Sequence, residues 1–206
     1  MNIVHSVSLA LRTRSARAQH GFTLVEILVA IVVLSFGVLG VVGMQAAALQ
    51  SNRSARNQST AVALGRELAD LMRGNKDVAL ATSSASNPYL IDNYPTAASA
   101  PTITTNCFTS ACASTLAVAQ FDMNQWLARV SAALPQARVV VCFDDNPYVT
   151  STGLPQWACT SAANQTLVVK IGWTQQALAA SAAPVQAAAS GSQPSVVLPL
   201  IAGSAT

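Results

Sequence analysis

The sequence predicts an α+β chain: one long N-terminal helix, half membrane-spanning and half amphipathic, packed on a small antiparallel sheet. Three observations carry that expectation. Phe22–Leu49 is a 28-residue apolar run with a single charge, Glu26. An apolar stripe at helical spacing follows it to about residue 73. Three short β-branched segments, 138–143, 166–173 and 195–201, lie in the C-terminal part.

Composition narrows the function before any motif is read. The chain has 206 residues, 51% hydrophobic and 9% charged, against about 25% charged in an average soluble domain. The net charge of +3 comes from 11 basic and 8 acidic side chains. Residues 1–21 hold Arg12, Arg14 and Arg17 and no acid, which leaves eight basic and eight acidic side chains in the remaining 185 residues. The basicity therefore belongs to the N-terminal segment, and the rest has no electrostatic support for nucleic-acid binding. Both histidines, His5 and His20, also lie there. A chain shortened after residue 21 has no imidazole for a catalytic triad, general acid–base work or a metal site.

The apolar run exceeds the roughly 20 residues that cross a bilayer and the roughly 7–15 of a secretory signal core. Positive charge before the run predicts a cytoplasmic N-terminus and an exported body. A signal cleaved near Ala46-Ala47-Ala48 is disfavoured by the length of the run. A buried core helix is disfavoured because the segment is apolar all round. A plain anchor explains length and orientation but not Glu26. A carboxylate at that depth costs about 2.5–3.5 kcal/mol on insertion scales and marks function.

Gly21-Phe22-Thr23-Leu24-Val25-Glu26, followed by uninterrupted apolar sequence, resembles the class III signal of type IV prepilins and type II secretion pseudopilins. The resemblance implies cleavage after Gly21 by prepilin peptidase, N-methylation of Phe22, and an assembly role for the Glu26 carboxylate. Gly21, lacking a side chain, lets a protease take the backbone in extended form. Cleavage would leave an amine at Phe22 and a carboxylate at Glu26 one turn apart, and opposite charges in lipid attract strongly.

Gly37, Gly40 and Gly43 recur every three residues in the same run. They permit close helix packing, or weaken the helix by about 1 kcal/mol each so that it unwinds locally. Beyond Ser51, Ala61, Leu64, Leu68 and Leu71 form the stripe, with Met72 beside it. It reads as a docking face for a globular head. Arg66 and Asp70, four apart, form a pair on the outer face. Gly74-Asn75 is the expected stop.

Arg56-Asn57-Gln58, Ala61-Val62-Ala63-Leu64 and Glu67 to Asn75 resemble the segment after the membrane helix in PilV-type minor pilins, the type IV pilus modification proteins. Ala69-Asp70-Leu71-Met72-Arg73 stands where that group has an ADRMR-type run, with Leu71 replacing a basic residue. Cys107 and Cys112, then Phe121-Asp122, Trp126 and Leu134-Pro135, repeat that group's order. The resemblance spans about residues 21–175. It implies a type IV pilin-like fold and a minor pilin that enters or primes the pilus, serving biogenesis, twitching motility and adhesion. The implied partners are prepilin peptidase, the major pilin, other minor pilins, the inner membrane and a tip adhesin. A minor pseudopilin of type II secretion is the alternative, since it shares the N-terminus.

The corresponding regions are a leader at 1–21, a membrane and filament-core helix at 22–49, its amphipathic continuation at 50–75, and a periplasmic head at 76–206. Within the head, 81–106 reads as loop, interrupted by Pro88, Pro95 and Pro101. A helix fits 113–134, with Leu116, Gln120, Met123, Leu127, Val130 and Leu134 on one face and Phe121 and Trp126 flanking it as core residues rather than a ligand platform. Pro135 closes it. In 166–173, Leu167, Val169, Ile171 and Trp173 alternate onto one face and Lys170 onto the other. Pro199 suits an edge strand. Residues 175–194 read as a flexible excursion with a short helix at 176–183.

Cys107, Cys112, Cys142 and Cys159 all fall in the exported body, where disulfides form. Pairing 107–112 and 142–159 closes two local loops. No CxxC spacing supports zinc or redox catalysis. Asp144-Asp145-Asn146 reads as a turn before Pro147, since the alternating oxygen ligands of a calcium loop are absent. No phosphate loop appears. The expectation is a structural protein without cofactor or metal.

Overall fold

The computed structural model describes residues 21–94, 100–103, 106–160, 166–175, 184, 186–187 and 191–203. The leader arginines, both histidines and the expected 176–183 helix lie outside the described residues. The chain divides into two compact units, Met1–Gln45 and Ala46–Thr206.

Helix α1 runs from Leu24 to Gly74, 51 residues. It starts two residues later than the sequence predicts. Thr23 provides the reason: its hydroxyl accepts from the Glu26 amide at 3.2 Å, and its carbonyl accepts from the Ile27 amide at 3.2 Å. Thr23 is thus the N-cap, and Thr-x-x-Glu has the spacing of a capping box. In the first unit every described residue is exposed. One 18-residue window of α1 has a mean hydropathy of 2.8, so the helix is long and apolar enough to cross a membrane.

In the second unit, the amphipathic part of α1 packs on a four-stranded antiparallel sheet of order β1-β2-β3-β4. The elements after α1 are α2 (Lys76–Ala79), β1 (Ile91–Tyr94), α3 (Thr115–Ala133), β2 (Arg138–Phe143), β3 (Leu167–Gly172) and β4 (Val196–Leu200). Strand β1 corrects the sequence reading, which predicts loop throughout 81–106. Four residues with Asp92 and Asn93 at the centre show no alternation, and the strand exists through pairing with distant β2, Ile91 opposite Val141 and Tyr94 opposite Val139. Pro199 lies in β4, an edge strand, where a missing amide costs no ladder bond on the open side.

The buried stripe of α1 is Ala61, Leu64, Gly65, Leu68, Ala69 and Met72. Met72 is fully buried, while Leu71, which the spacing places in the stripe, is only half-buried. Gly65 leaves room for the sheet, since a Cβ there would lie 2.5 Å from Leu198 Cδ1. Ser114 caps α3, its hydroxyl accepting from the Ala117 amide at 3.2 Å. The buried face of α3 follows the expected one from Met123 onward and departs from it in the first turns. Trp126 sits at its centre, whereas Leu116 and Gln120 are half-buried. Met123, Leu127, Val130 and Leu134 of the expected face are buried beside it, and Phe121 with them.

One sheet face, with Val139, Val141, Leu167, Val169, Ile171 and Val196, joins α1 and α3 in the core. The opposite face carries Val140, Val168 and Lys170, and these are buried as well. Lys170 is on the face the alternation predicts, yet it is not in water: its side chain is wholly inaccessible.

Candidate functional site

Two regions carry chemistry, one in each unit. In the first, Gly21 and Phe22 precede the helix and are exposed, Phe22 at 77%. A Cβ on Gly21 would meet no atom within 4 Å. Glu26 is exposed in the first turn of α1. A carboxylate there interacts favourably with the amide-rich end of the helix. The sequence assigns Glu26 but not its capping partner, although Thr23-Leu24-Val25-Glu26 has the T-x-x-E spacing.

Beyond Glu26, large apolar side chains project on all sides, Leu34 at 69%, Phe36 at 71% and Leu39 at 67% exposure among them. Gly37, Gly40 and Gly43 stand inside regular helix, and a Cβ at any of them would meet nothing within 4 Å. The helix is therefore wound through all three. Whatever uses the space over them is not in the same chain's described residues.

The second region lies in the second unit and includes both disulfides. Cys107 is joined to Cys112 and Cys142 to Cys159, with Cα separations of 5.2 and 6.4 Å. These are the two local loops. Phe108, 80% exposed within the first loop, meets Phe121 edge to face with centroids 4.9 Å apart. Beside the second disulfide, Asp144 and Lys170 form an ion pair at 2.5 Å with neither side chain accessible to solvent. Asp144 Oδ1 also accepts from the Asn146 amide, the Thr160 amide and the Thr160 hydroxyl, at 3.0, 3.1 and 2.6 Å. Burial pushes the Asp144 carboxyl up, but the hydrogen bonds from Lys170, Thr160 and Asn146 outweigh it and hold it below the usual carboxylate range.

The turn reading of Asp144-Asp145-Asn146 thus misses the role of its first residue. Alternation in 166–173 puts a lysine opposite an apolar face, and an Asp directly after β2 is the available signal for its partner. Cys142, Asp144 and Cys159 do bring three potential metal ligands within 4.8 Å of one another. Both sulfurs are in the disulfide, and Asp144 already faces an ammonium, so this donor set does not fit a metal.

Arg138 belongs to the same region. Its guanidinium lies 4.2 Å from the Trp157 ring centroid, and Nε donates to Asn93 Oδ1 at 2.9 Å. Burial lowers its pKa. On α1, Asp70 pairs with Arg73 at 2.5 Å, not with Arg66 as the i, i+4 spacing suggests. Glu67 pairs with Arg129 of α3 at 2.5 Å. An open groove between α1 and α3 is lined by Arg66, Glu67, Asp70 and Asp122 among others. Burial raises the Asp122 carboxyl, with Arg129 acting against it. The groove shows no nucleophile beside a base among its described lining residues.

Comparison with protein families matches residues 16–42 to the prokaryotic N-terminal methylation motif. No curated protein and no solved structure matches the chain. The matched motif supports a type IV pilin or pseudopilin and implies a structural protein rather than an enzyme. It also implies processing by prepilin peptidase and assembly with other pilins. The long helix on a small antiparallel sheet is a pilin-like α+β arrangement.

Proposed function

We propose that this chain is a minor pilin of the PilV kind, cut after Gly21, methylated at Phe22 and built into a type IV pilus or the complex that primes it. The observation that carries the reading is the matched motif at the head of an apolar helix that the described residues of the chain leave uncovered. Such a helix is stable in two settings, a bilayer and a bundle of like helices. Removing residues 1–21 takes away the cytoplasmic positive charge and permits passage from one to the other. Glu26 then pairs with a Phe22 amine, in its own or a neighbouring subunit, and sets register.

The PilV assignment rests on the order Arg56-Asn57-Gln58, Ala69 to Arg73, Cys107 and Cys112, Phe121-Asp122, Trp126 and Leu134-Pro135. In this reading the head is periplasmic and then displayed on the pilus, where it supports twitching and adhesion. A minor pseudopilin of type II secretion is the second reading, because the same motif serves both machines. Two measurements test the proposal. Mass spectrometry of the purified protein should find methylated Phe22 as first residue, and Gly21→Leu should leave the precursor uncut in the membrane. Deleting the gene should abolish twitching and leave protein secretion intact. Lost secretion with normal twitching assigns the chain to the second machine, and a normal-sized mature form of Gly21→Leu overturns both.

A further inference from the structure

We propose that Asp144, Lys170 and Thr160 are positioning residues for formation of the Cys142–Cys159 disulfide: the buried ion pair holds the backbone on both sides of Cys159 against β2 before the sulfurs join. The hydrogen bonds have an arrangement that a merely space-filling ion pair does not need. Cys142 is in β2, and Asp144 follows it by two residues, its amide donating to the Thr166 carbonyl at 2.9 Å. On one side of Cys159, the Ala158 carbonyl accepts from Lys170 Nζ at 2.6 Å. On the other, the amide and hydroxyl of Thr160 donate to Asp144 Oδ1 at 3.1 and 2.6 Å. The two neighbours of Cys159 are thus each gripped by one member of the pair, and the pair itself closes at 2.5 Å. Lys170 is anchored in the middle of β3, opposite Val140 of β2. The grip is therefore referenced to the sheet and needs no disulfide for its own geometry.

The chemistry gives this grip a use. The two cysteines are 17 residues apart, so closing the ring costs chain entropy. In the first step a thiolate of Cys142 or Cys159 attacks the disulfide of an oxidant, a thiol–disulfide oxidase in the exported compartment or oxidised glutathione in the laboratory. One oxidant thiol leaves and a mixed disulfide remains. In the second step the other cysteine thiolate attacks the protein sulfur of that mixed disulfide and expels the second oxidant thiol. The two cysteines lose two protons and two electrons, and the oxidant gains them. Only the second step needs Cys142 and Cys159 together, so only that step gains from the grip. The Cys107–Cys112 pair, separated by 5 in sequence, is not among the described side-chain hydrogen-bond partners of Asp144 and Lys170, which makes it an internal reference.

The test uses the full chain in detergent micelles, reduced and then equilibrated in glutathione buffers, with both disulfides quantified by alkylation and peptide mass spectrometry. Asp144→Asn should shift the glutathione ratio for half-oxidation of Cys142–Cys159 by about tenfold or more toward oxidant. Glutathione adducts at Cys142 or Cys159 should accumulate because ring closure slows, and Cys107–Cys112 should stay within about twofold of wild type. Thr160→Val, which leaves the ion pair in place, should move the same bond in the same direction by less. Trp126→Ala weakens the head from the opposite face and serves as the stability control, with ring closure close to wild type. Unchanged ring closure in Asp144→Asn and Thr160→Val overturns the proposal. Equal slowing in Trp126→Ala and Asp144→Asn overturns it too, since it reduces the effect to general loss of stability.

Discussion

The indole nitrogen of Trp126 donates to the main-chain carbonyl of Leu64 at 2.8 Å, with the ring wholly buried. Leu64 is 62 residues away in sequence and lies on the docking stripe of α1. The bond gives α3 a directional tie to a helix whose other contacts in the core are apolar and non-directional. Trp126→Phe should lower stability by about 1–2 kcal/mol, from a lost hydrogen bond and a smaller ring, and Trp126→Ala by about 3–5 kcal/mol. Urea unfolding followed by the emission of Trp157 and Trp173 measures both. A Phe variant as stable as wild type would show that the Leu64 bond adds nothing over water.

Glu26→Leu should still be cleaved, since the peptidase reads Gly21 and its apolar flank. It should sit in the membrane more favourably, without a carboxylate at depth. It should nevertheless enter filaments poorly, because the Phe22 amine loses its counter-charge. Removing one member of a buried ion pair costs about 3–5 kcal/mol, and tenfold in an equilibrium needs only about 1.4 kcal/mol. The measurement is the variant's abundance in sheared pili relative to its membrane pool. Wild-type incorporation would leave Glu26 as a tolerated flaw in an anchor.

Gly172 is pressed against Trp157. A Cβ there would lie 2.9 and 3.0 Å from two carbons of the indole six-membered ring and 3.3 Å from Ala187 Cβ. The indole has little freedom to yield, since Arg138 stacks on it and its Nε1 donates to Ser192 Oγ at 3.2 Å. Gly172→Ala should therefore destabilise by about 1–2 kcal/mol despite the entropy that alanine saves in the unfolded chain. Equal or higher stability on calorimetry would mean that the ring moves aside freely.

Acid should weaken the head through Asp144. Its folded pKa is depressed, so the folded state binds fewer protons than the unfolded one near pH 4. The stabilisation is complete above the unfolded value, about 3.9, and is lost as pH falls through the lower folded value. Asp122, raised by burial, works the other way and gains stability on protonation. Asp144→Asn should flatten the acid limb of stability against pH, and Asp122→Asn should steepen it. Parallel wild-type and Asp144→Asn curves below pH 4 would remove Asp144 from the account.

The sequence by itself determined the N-terminal motif and the order of the long elements. A 28-residue apolar run, a glycine before it and one acid inside it are local facts that no packing can alter. Helical and strand periodicities placed α1, α3, β2, β3 and β4 to within two residues, because each buries a face read from its own spacing. Short loop closure likewise favoured the two disulfides that the structure contains. Three features needed the tertiary structure. Strand β1 has no pattern of its own and is held by β2. The Leu64 carbonyl that receives the Trp126 indole proton is 62 residues away and is offered only after α1 has docked. Lys170 alternates onto what looks like a solvated face, and it is buried because the Cys142–Cys159 loop folds over it and brings Asp144 within 2.5 Å. Periodicity reports which side of a strand a residue occupies. What covers that side is decided by chain distant in sequence, and the penalty for an unpaired buried charge ensures that the cover brings a partner.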